Sequence, residues 1–251
     1  MSSQFEPESN SPEPSPESEA ALSRRQMLRL AGYAGGGMLL TGASLTLLEN
    51  LAGRATEPLN QTVEELLFQA QTPVPEFPVS EIEPDKLIVN TYGFTPEIDP
   101  AAFRLTIDGE VNNPVTLDLA AIQRMSRQSM VIRHVCVEGW AAIVQWAGVP
   151  VRELIQLAQP QPGVRYAYFL SADRYYESWD IASCLHPQTL LAYEKNGAPL
   201  PIENGAPLRL ASPIKLGYKL SKWVTQMTLV SELRSRRGFW EDQSYEWFAG
   251  L

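Results

Sequence analysis

Cysteine is scarce in this 251-residue sequence, where Cys136 and Cys184 are the only two. A single Cys136 to Cys184 disulfide is the most covalent scaffolding they allow. No C-x-x-C-H stretch occurs, so an attached c-type haem is excluded. Internal repeats and heptads are also missing, which excludes solenoids and coiled coils. Basic residues are absent from positions 1 to 22, which carry Glu6, Glu8, Glu13, Glu17 and Glu19. The whole chain has a formal charge of -9, so the remainder holds -9 minus -5, or -4. An acidic body of this kind is not expected to bind nucleic acid.

With 44% hydrophobic residues, the chain can bury one substantial core beyond its first segments. Residues 1–22 place Pro7, Pro12, Pro14 and Pro16 among Ser and Glu, a composition that buries too little apolar surface to offset ordering entropy. A disordered acidic tail is expected there. Residues 23–55 then read as a targeting segment: Ser23-Arg24-Arg25-Gln26-Met27-Leu28-Arg29 precedes an apolar run, Leu30 to Leu48, that contains no acidic residue. A twin-arginine signal for export of a folded protein to the periplasm is the expectation. At roughly 20 residues the run is also long enough to remain as a membrane anchor. A buried helix fits poorly with Gly32, Gly35, Gly36, Gly37 and Gly42 in it.

Residues 56–80, with Pro58, Pro73, Pro75 and Pro78, read as a linker after a short amphipathic piece from Val63 to Phe68. The folded domain is expected over 81–251. Phe103, Leu105 and Ile107 alternate before Asp108-Gly109, and Val115 and Leu117 follow, which spells strand, turn, strand. Asp118 is placed to cap a short helix carrying Leu119, Ile122 and Met125. Met130 to Val137 is strand-like, with His134 and Cys136 on one face and Arg133, Val135 and Val137 on the other. Val151, Leu154, Ile155 and Ala158 keep helical spacing, Tyr166 to Leu170 reads as a strand, and Trp223, Thr225, Met227 and Leu229 alternate in a last strand. The fold class is α+β.

Cys136 sits in Arg133-His134-Val135-Cys136-Val137-Glu138-Gly139-Trp140. A free cysteine is most often an inert buried hydrophobe. Here Arg133 and His134 would depress the thiol pKa and favour a thiolate, the form that ligates soft metals or attacks substrates. A cysteine nucleophile with a histidine base is the other chemistry open to it. The later stretch Asn204-Gly205-Ala206-Pro207, Arg209 and Lys215 to Trp223 joins a Gly/Pro-shaped loop to a set of donors, among them Lys219, Ser221 and Lys222. That set suits a phosphate, or else forms a solvated basic face.

Four ordered motifs, Val135-Cys136-Val137-Glu138-Gly139-Trp140, His186-Pro187-Gln188-Thr189-Leu190, Asn204-Gly205-Ala206-Pro207-Leu208-Arg209-Leu210 and Gly217-Tyr218-Lys219, together resemble the molybdopterin-binding domain of the sulfite oxidase family over about residues 81–251. Within that family the resemblance is to exported bacterial methionine-sulfoxide reductase catalytic subunits. It implies mixed β-sheets with short helices and no C-terminal immunoglobulin-like domain, hence a monomeric catalytic subunit. It implies Mo-molybdopterin as cofactor, one molybdenum per chain, with Cys136 as the metal ligand. The pterin and its phosphate would be gripped by Asn90, Tyr92, Arg133, Ser171, Asn204, Arg209 and the stretch Lys219, Leu220, Ser221 and Lys222. His134 and Tyr176 would line the substrate cavity and move protons, His134 through a charge change near neutral pH. Cys184 is read as packing.

The implied reaction is two-electron oxygen-atom transfer, the reduction of an S-oxide or N-oxide on a small molecule or a protein. Sulfite-type oxidation and a metal-free exported thiol redox protein using Cys136 are the alternatives. Val135 stands where the resembled reductases carry an Arg, and losing that charge argues against a small anion such as sulfite. Electrons would pass to or from a haem-containing partner, which could be membrane-bound.

Overall fold

The computed structural model describes Phe68 and residues 70–251. The acidic tail, the twin-arginine segment with its apolar run, and all of the amphipathic piece except Phe68 lie outside the described residues. Among the described residues no helix is long and apolar enough to cross a membrane.

The described residues form two sheets, the first mixed and the second antiparallel. The first is built from β1 (Arg104–Gly109), β2 (Val115–Asp118), β5 (Tyr166–Ser171), β6 (Tyr176–Asp180) and β10 (Val224–Val230), in the order β2-β1-β10-β5-β6. The second runs β3 (Gln128–Val135), β4 (Ala141–Pro150), β7 (Leu190–Lys195) and β8 (Ala198–Pro199), with β9 (Arg209–Ala211) pairing to β7. Three short α-helices occur among the described residues: α1 (Leu119–Gln123), α2 (Val151–Ala158) and α3 (Ile181–Leu185).

The strand signals around Asp108-Gly109 become the antiparallel pair β1 and β2, with Leu105 opposite Leu117 and Ile107 opposite Val115. Leu105 and Ile107 are fully buried, and each contributes about 1.5–3 kcal/mol of apolar burial. Asp118 caps α1 by accepting a hydrogen bond from the Ala121 amide at 2.7 Å. Val151, Leu154, Ile155 and Ala158 form the buried stripe of α2. They join Leu105, Ile107, Phe169, Trp179, Met227 and Leu229 in the main core, and Met130, Ile132, Val144 and Trp146 anchor a second cluster.

The last strand departs from simple alternation. Its pairing with β5 slips between Val224 and Gln226, so Val224, Met227 and Leu229 face inward and Thr225 does not; Trp223 falls outside the strand with φ 54°. A bulge of this kind shifts the inward set by one residue.

Part of the stretch expected to be linker is fastened to the sheets. Val74 and Gln188 exchange two hydrogen bonds, at 2.8 and 2.9 Å, and the Phe77 amide donates to the Val131 carbonyl at 2.9 Å. His186 Nε2 lies 3.1 Å from the Thr72 carbonyl oxygen.

Candidate active site

A cavity of about 460 Å³ opens where the end of β3, the β5–β6 turn, the 203–223 stretch and the C-terminal segment meet. Cys136 lies just past β3, in a hairpin closed by its amide donating to the Trp140 carbonyl at 2.9 Å and by the Gly139 amide donating to the Cys136 carbonyl at 3.1 Å. That turn presents the thiol, half-buried, to the cavity.

Glu138 organises this corner. Its Oε2 accepts from Asn90 Nδ2 at 2.6 Å, from Trp140 Nε1 at 2.9 Å, and from the Cys136 thiol at 3.6 Å. Trp140 in turn lies nearly parallel to the His134 ring, at 12° and 5.7 Å between centroids. The 87–93 loop is thereby tied to the cysteine hairpin through Asn90. A further tie is Lys222, whose ammonium donates to the Asn90 carbonyl.

The opposite wall is cationic. Arg209 is buried and donates to the carbonyls of Leu210, Asn204 and Leu220, with its guanidinium 4.5 Å from the Trp146 ring centroid. Among the described residues no carboxylate pairs with it. Burial holds Arg209 down to about 9. Lys222 is held down to about 8 by burial and by Arg209, against the pull of Asp173 and Glu203. Lys195, also lowered by burial and Arg209, donates to Asn204 Oδ1 at 2.9 Å. Gly205 makes the close packing possible: its φ is 112°, and a β-carbon there would meet Lys222 Cβ at 2.9 Å and Arg209 Cβ at 3.0 Å. Such a wall is built for an anion.

Of the residues expected at the site, Cys136, His134, Asn90, Tyr92, Asn204, Arg209, Leu220, Ser221 and Lys222 all line this cavity. Four do not. Arg133 points to the other face of β3, exposed, with its guanidinium 5.0 Å from the Phe77 ring centroid. Lys219 is fully buried and gives its ammonium to Glu177 at 2.6 Å, Glu241 at 2.5 Å and the Ser178 carbonyl at 3.1 Å, so it closes an ion cluster behind the wall. Ser171 ends β5 as a buried residue, and Asp173, two positions on, reaches the cavity. Tyr176 turns outward to donate to Asp242 at 2.6 Å, while its neighbour Tyr175 faces the cavity and donates to the Tyr218 carbonyl at 2.6 Å.

The electrostatics expected at the thiol also differ. Arg133 is turned away, and burial with Arg209 nearby pushes His134 down to about 3, which keeps the imidazole neutral. Burial, with Glu138 adding to it, pushes the Cys136 thiol up. Neither basic neighbour supplies a cation to this sulfur.

Glu138, Trp140, Tyr175, Gly217, Tyr218, Trp240 and Tyr245 are among the other residues that line it, none of them assigned to the site from the sequence, although Gly217 and Tyr218 stood in a quoted motif. Glu138 and Trp140 stood inside the cysteine motif. Trp240 and Tyr245 arrive from the C-terminal segment, to which no motif pointed.

The family model for the oxidoreductase molybdopterin binding domain matches residues 92–240. A protein of Azospira oryzae, provisionally named protein-methionine-sulfoxide reductase subunit YedZ1, is 36% identical over 231 residues, covering 90% of this chain and 87% of its own length. The protein-methionine-sulfoxide reductase catalytic subunit MsrP of Burkholderia mallei is 30% identical over 237 residues, covering 82% of this chain and 69% of its own. In fold, the chain is similar to the sulfane dehydrogenase SoxCD of Paracoccus pantotrophus, with a TM-score of 0.53 and 23% identity across 57% of this chain and 42% of that one.

Proposed function

This chain belongs to the family of molybdopterin-binding oxidoreductase domains, and from that premise we propose that it reduces an S-oxide, methionine sulfoxide carried on a polypeptide. In the balanced reaction the sulfoxide gives up its oxygen as water, consuming two protons and two electrons, and leaves as a thioether. Relatives named as protein-methionine-sulfoxide reductases support this choice of substrate.

The observation that carries the reading is that the Cys136 thiol and the Arg209 and Lys222 cations line one cavity. The residues there fit the cofactor. Cys136 would hold the metal. Arg209, Lys222, Asn204 and Ser221 would hold the pterin and its phosphate. Among the described residues Ser221 Oγ and His134 Nδ1 are buried with no hydrogen-bond partner, and Arg209 donates to carbonyls alone. When bound, Mo-molybdopterin supplies two-electron oxygen-atom transfer chemistry and a cation at the thiol.

The protein's own contribution is placement. Glu138 fixes Trp140 and Asn90, and Trp140 lies against His134. Tyr92, Tyr218, Trp240 and Tyr245 line the same cavity, an aromatic surface that suits the apolar substituents of a sulfoxide and excludes water. A metal-free thiol redox protein has less support, because burial favours the neutral thiol. Sulfite-type oxidation has less support as well, since the exposed Glu138 carboxylate sits at the thiol and would repel a dianion.

The reading includes export by the twin-arginine route, on the strength of Arg24 and Arg25 ahead of the apolar run, and a haem-containing donor that delivers electrons. An Arg24→Lys, Arg25→Lys pair is then expected to leave the protein unexported.

The test is metal analysis and steady-state kinetics on the full chain matured in a host that makes the cofactor. Stoichiometric molybdenum, its loss in Cys136→Ser, and turnover of methionine sulfoxide ahead of an N-oxide or sulfite are expected. Molybdenum retained in Cys136→Ser overturns the ligand assignment, and preferred turnover of sulfite overturns the substrate.

A further inference from the structure

A groove of about 720 Å³ continues from the cavity across the β5–β6 turn, and the two share Tyr92, Gly93 and Asp173. Its walls hold three of the large apolar side chains that the described residues leave exposed: Tyr92 at 45%, Phe94 at 54% and Leu170 at 42%. Apolar groups gathered beside a site, unlike single ones scattered over a surface, mark a place where another molecule sits.

The groove is also basic. Arg174 and Arg236 stand at its edge, and an adjoining hollow of about 400 Å³ shares Leu170, Tyr176 and Arg236 with it and adds Arg234. Arg174 and Arg234 have no carboxylate partner among the described residues. Arg236 reaches Asp242 only at 3.7 Å and lies 4.1 Å from the Tyr176 ring centroid, while Arg234 lies 5.0 Å from that of Tyr168. Asp173 is the one carboxylate among the residues that line the groove, so the arginines leave it net positive on a chain of net charge -9, with aromatic rings at its border. Arginine with tyrosine and phenylalanine is the composition that protein-recognition surfaces favour.

We propose that this groove binds the polypeptide flanking the oxidised residue, seating an apolar side chain on Tyr92, Phe94 and Leu170 and pairing acidic side chains with Arg174 and Arg236. The assignment rests on the reading of a polypeptide S-oxide as substrate. It makes the enzyme selective for methionine sulfoxide in acidic sequence surroundings. Arg174 and Arg236 are specificity residues that act on the flanks and leave the reacting sulfur to the cavity.

The experiment uses two labelled peptides with methionine sulfoxide at the centre, alike except for aspartate and glutamate or lysine in the flanks. Fluorescence anisotropy with the cofactor-loaded full chain and no electron donor reads binding apart from turnover. The acidic peptide is expected to bind about tenfold tighter, with an advantage that shrinks as salt is added. Arg174→Glu with Arg236→Glu should reverse the preference, and Arg174→Gln with Arg236→Gln should reduce it. Equal binding of the two peptides overturns the proposal, and so does a preference that survives the reversal. Variants that bind peptide as before but accept electrons more slowly also overturn it, assigning the arginines to the donor. A chain that prefers the acidic peptide yet reduces no sulfoxide refutes the substrate reading and leaves the groove assignment standing.

Discussion

Gly217 packs so tightly on His134 that a β-carbon on the glycine would stand 3.2 Å from the imidazole Nε2, and 3.5 Å from the Cα of Cys136. Gly217→Ala must therefore move the histidine or the cysteine hairpin by a few tenths of an ångström. Activity on methionine sulfoxide is expected to fall by about tenfold or more, since small misplacements near reacting atoms are costly. The melting temperature should shift little, and calorimetry beside kinetics separates the two effects.

Lys219 gives a different outcome, because it serves the fold. Two buried carboxylates share its ammonium; burial and Glu241 keep Glu177 well above the usual carboxylate range, and the two acids hold Lys219 up. Lys219→Met leaves Glu177 and Glu241 buried with no cation. A loss of roughly 3–5 kcal/mol in denaturant unfolding is expected. Adding Glu177→Gln should recover part of it. A variant of undiminished stability that merely loses cofactor would mean that Lys219 serves the pterin after all.

Lys215 should give stability a pH slope. Its ammonium is buried, donates to the Phe248 carbonyl at 2.6 Å and lies 3.3 Å from Asp180. Burial holds it down to about 8 from its ordinary 10.5, against the pull of Asp180. Between those values the folded chain binds fewer protons at this group than the unfolded chain, so stability rises with pH. The gain across the window is on the order of 3 kcal/mol. Lys222, also held down to about 8, pushes the same way. Urea unfolding from pH 7.5 to 10 should show Lys215→Met losing its share of the slope.

Glu138→Ala releases three groups at once, namely Asn90, Trp140 and the thiol. The side chain is exposed, so the unfolding midpoint should stay where it is. Activity should drop by about tenfold as the 87–93 loop and the Trp140 ring lose their anchor. Tryptophan fluorescence reports the second change independently of turnover.

The strands were largely legible because alternation and capping are local, although the strand read as running to Val137 ends at Val135, where the hairpin that holds Cys136 begins. Leu105 and Ile107, the stripe of α2 and the Asp118 cap all follow from spacings within a few residues. What was lost depends on distant chain. Lys219 and Lys222 stand three apart in one motif, yet Glu177, 42 positions earlier, claims the first and leaves the second to the cavity. Tyr175 and Tyr176 differ by one position, and only the β5–β6 turn decides which faces inward. Arg133 was misassigned for a different reason: alternation already placed it opposite His134, so its charge could not serve the same side.

The pairing of β1 with β10 is the one parallel contact among the described strands, and β10 sits at the middle of its sheet. A ribosome delivers β1 and β2 more than a hundred residues before the strand that joins them to β5 and β6. Without that strand nothing in the first sheet pairs β1 and β2 with β5 and β6. Asn204, Arg209 and Lys222 emerge just ahead of that closing strand, so a nascent chain has no assembled anion wall to offer. On the proposed reading, a cofactor can be gripped only after β10 has closed the first sheet.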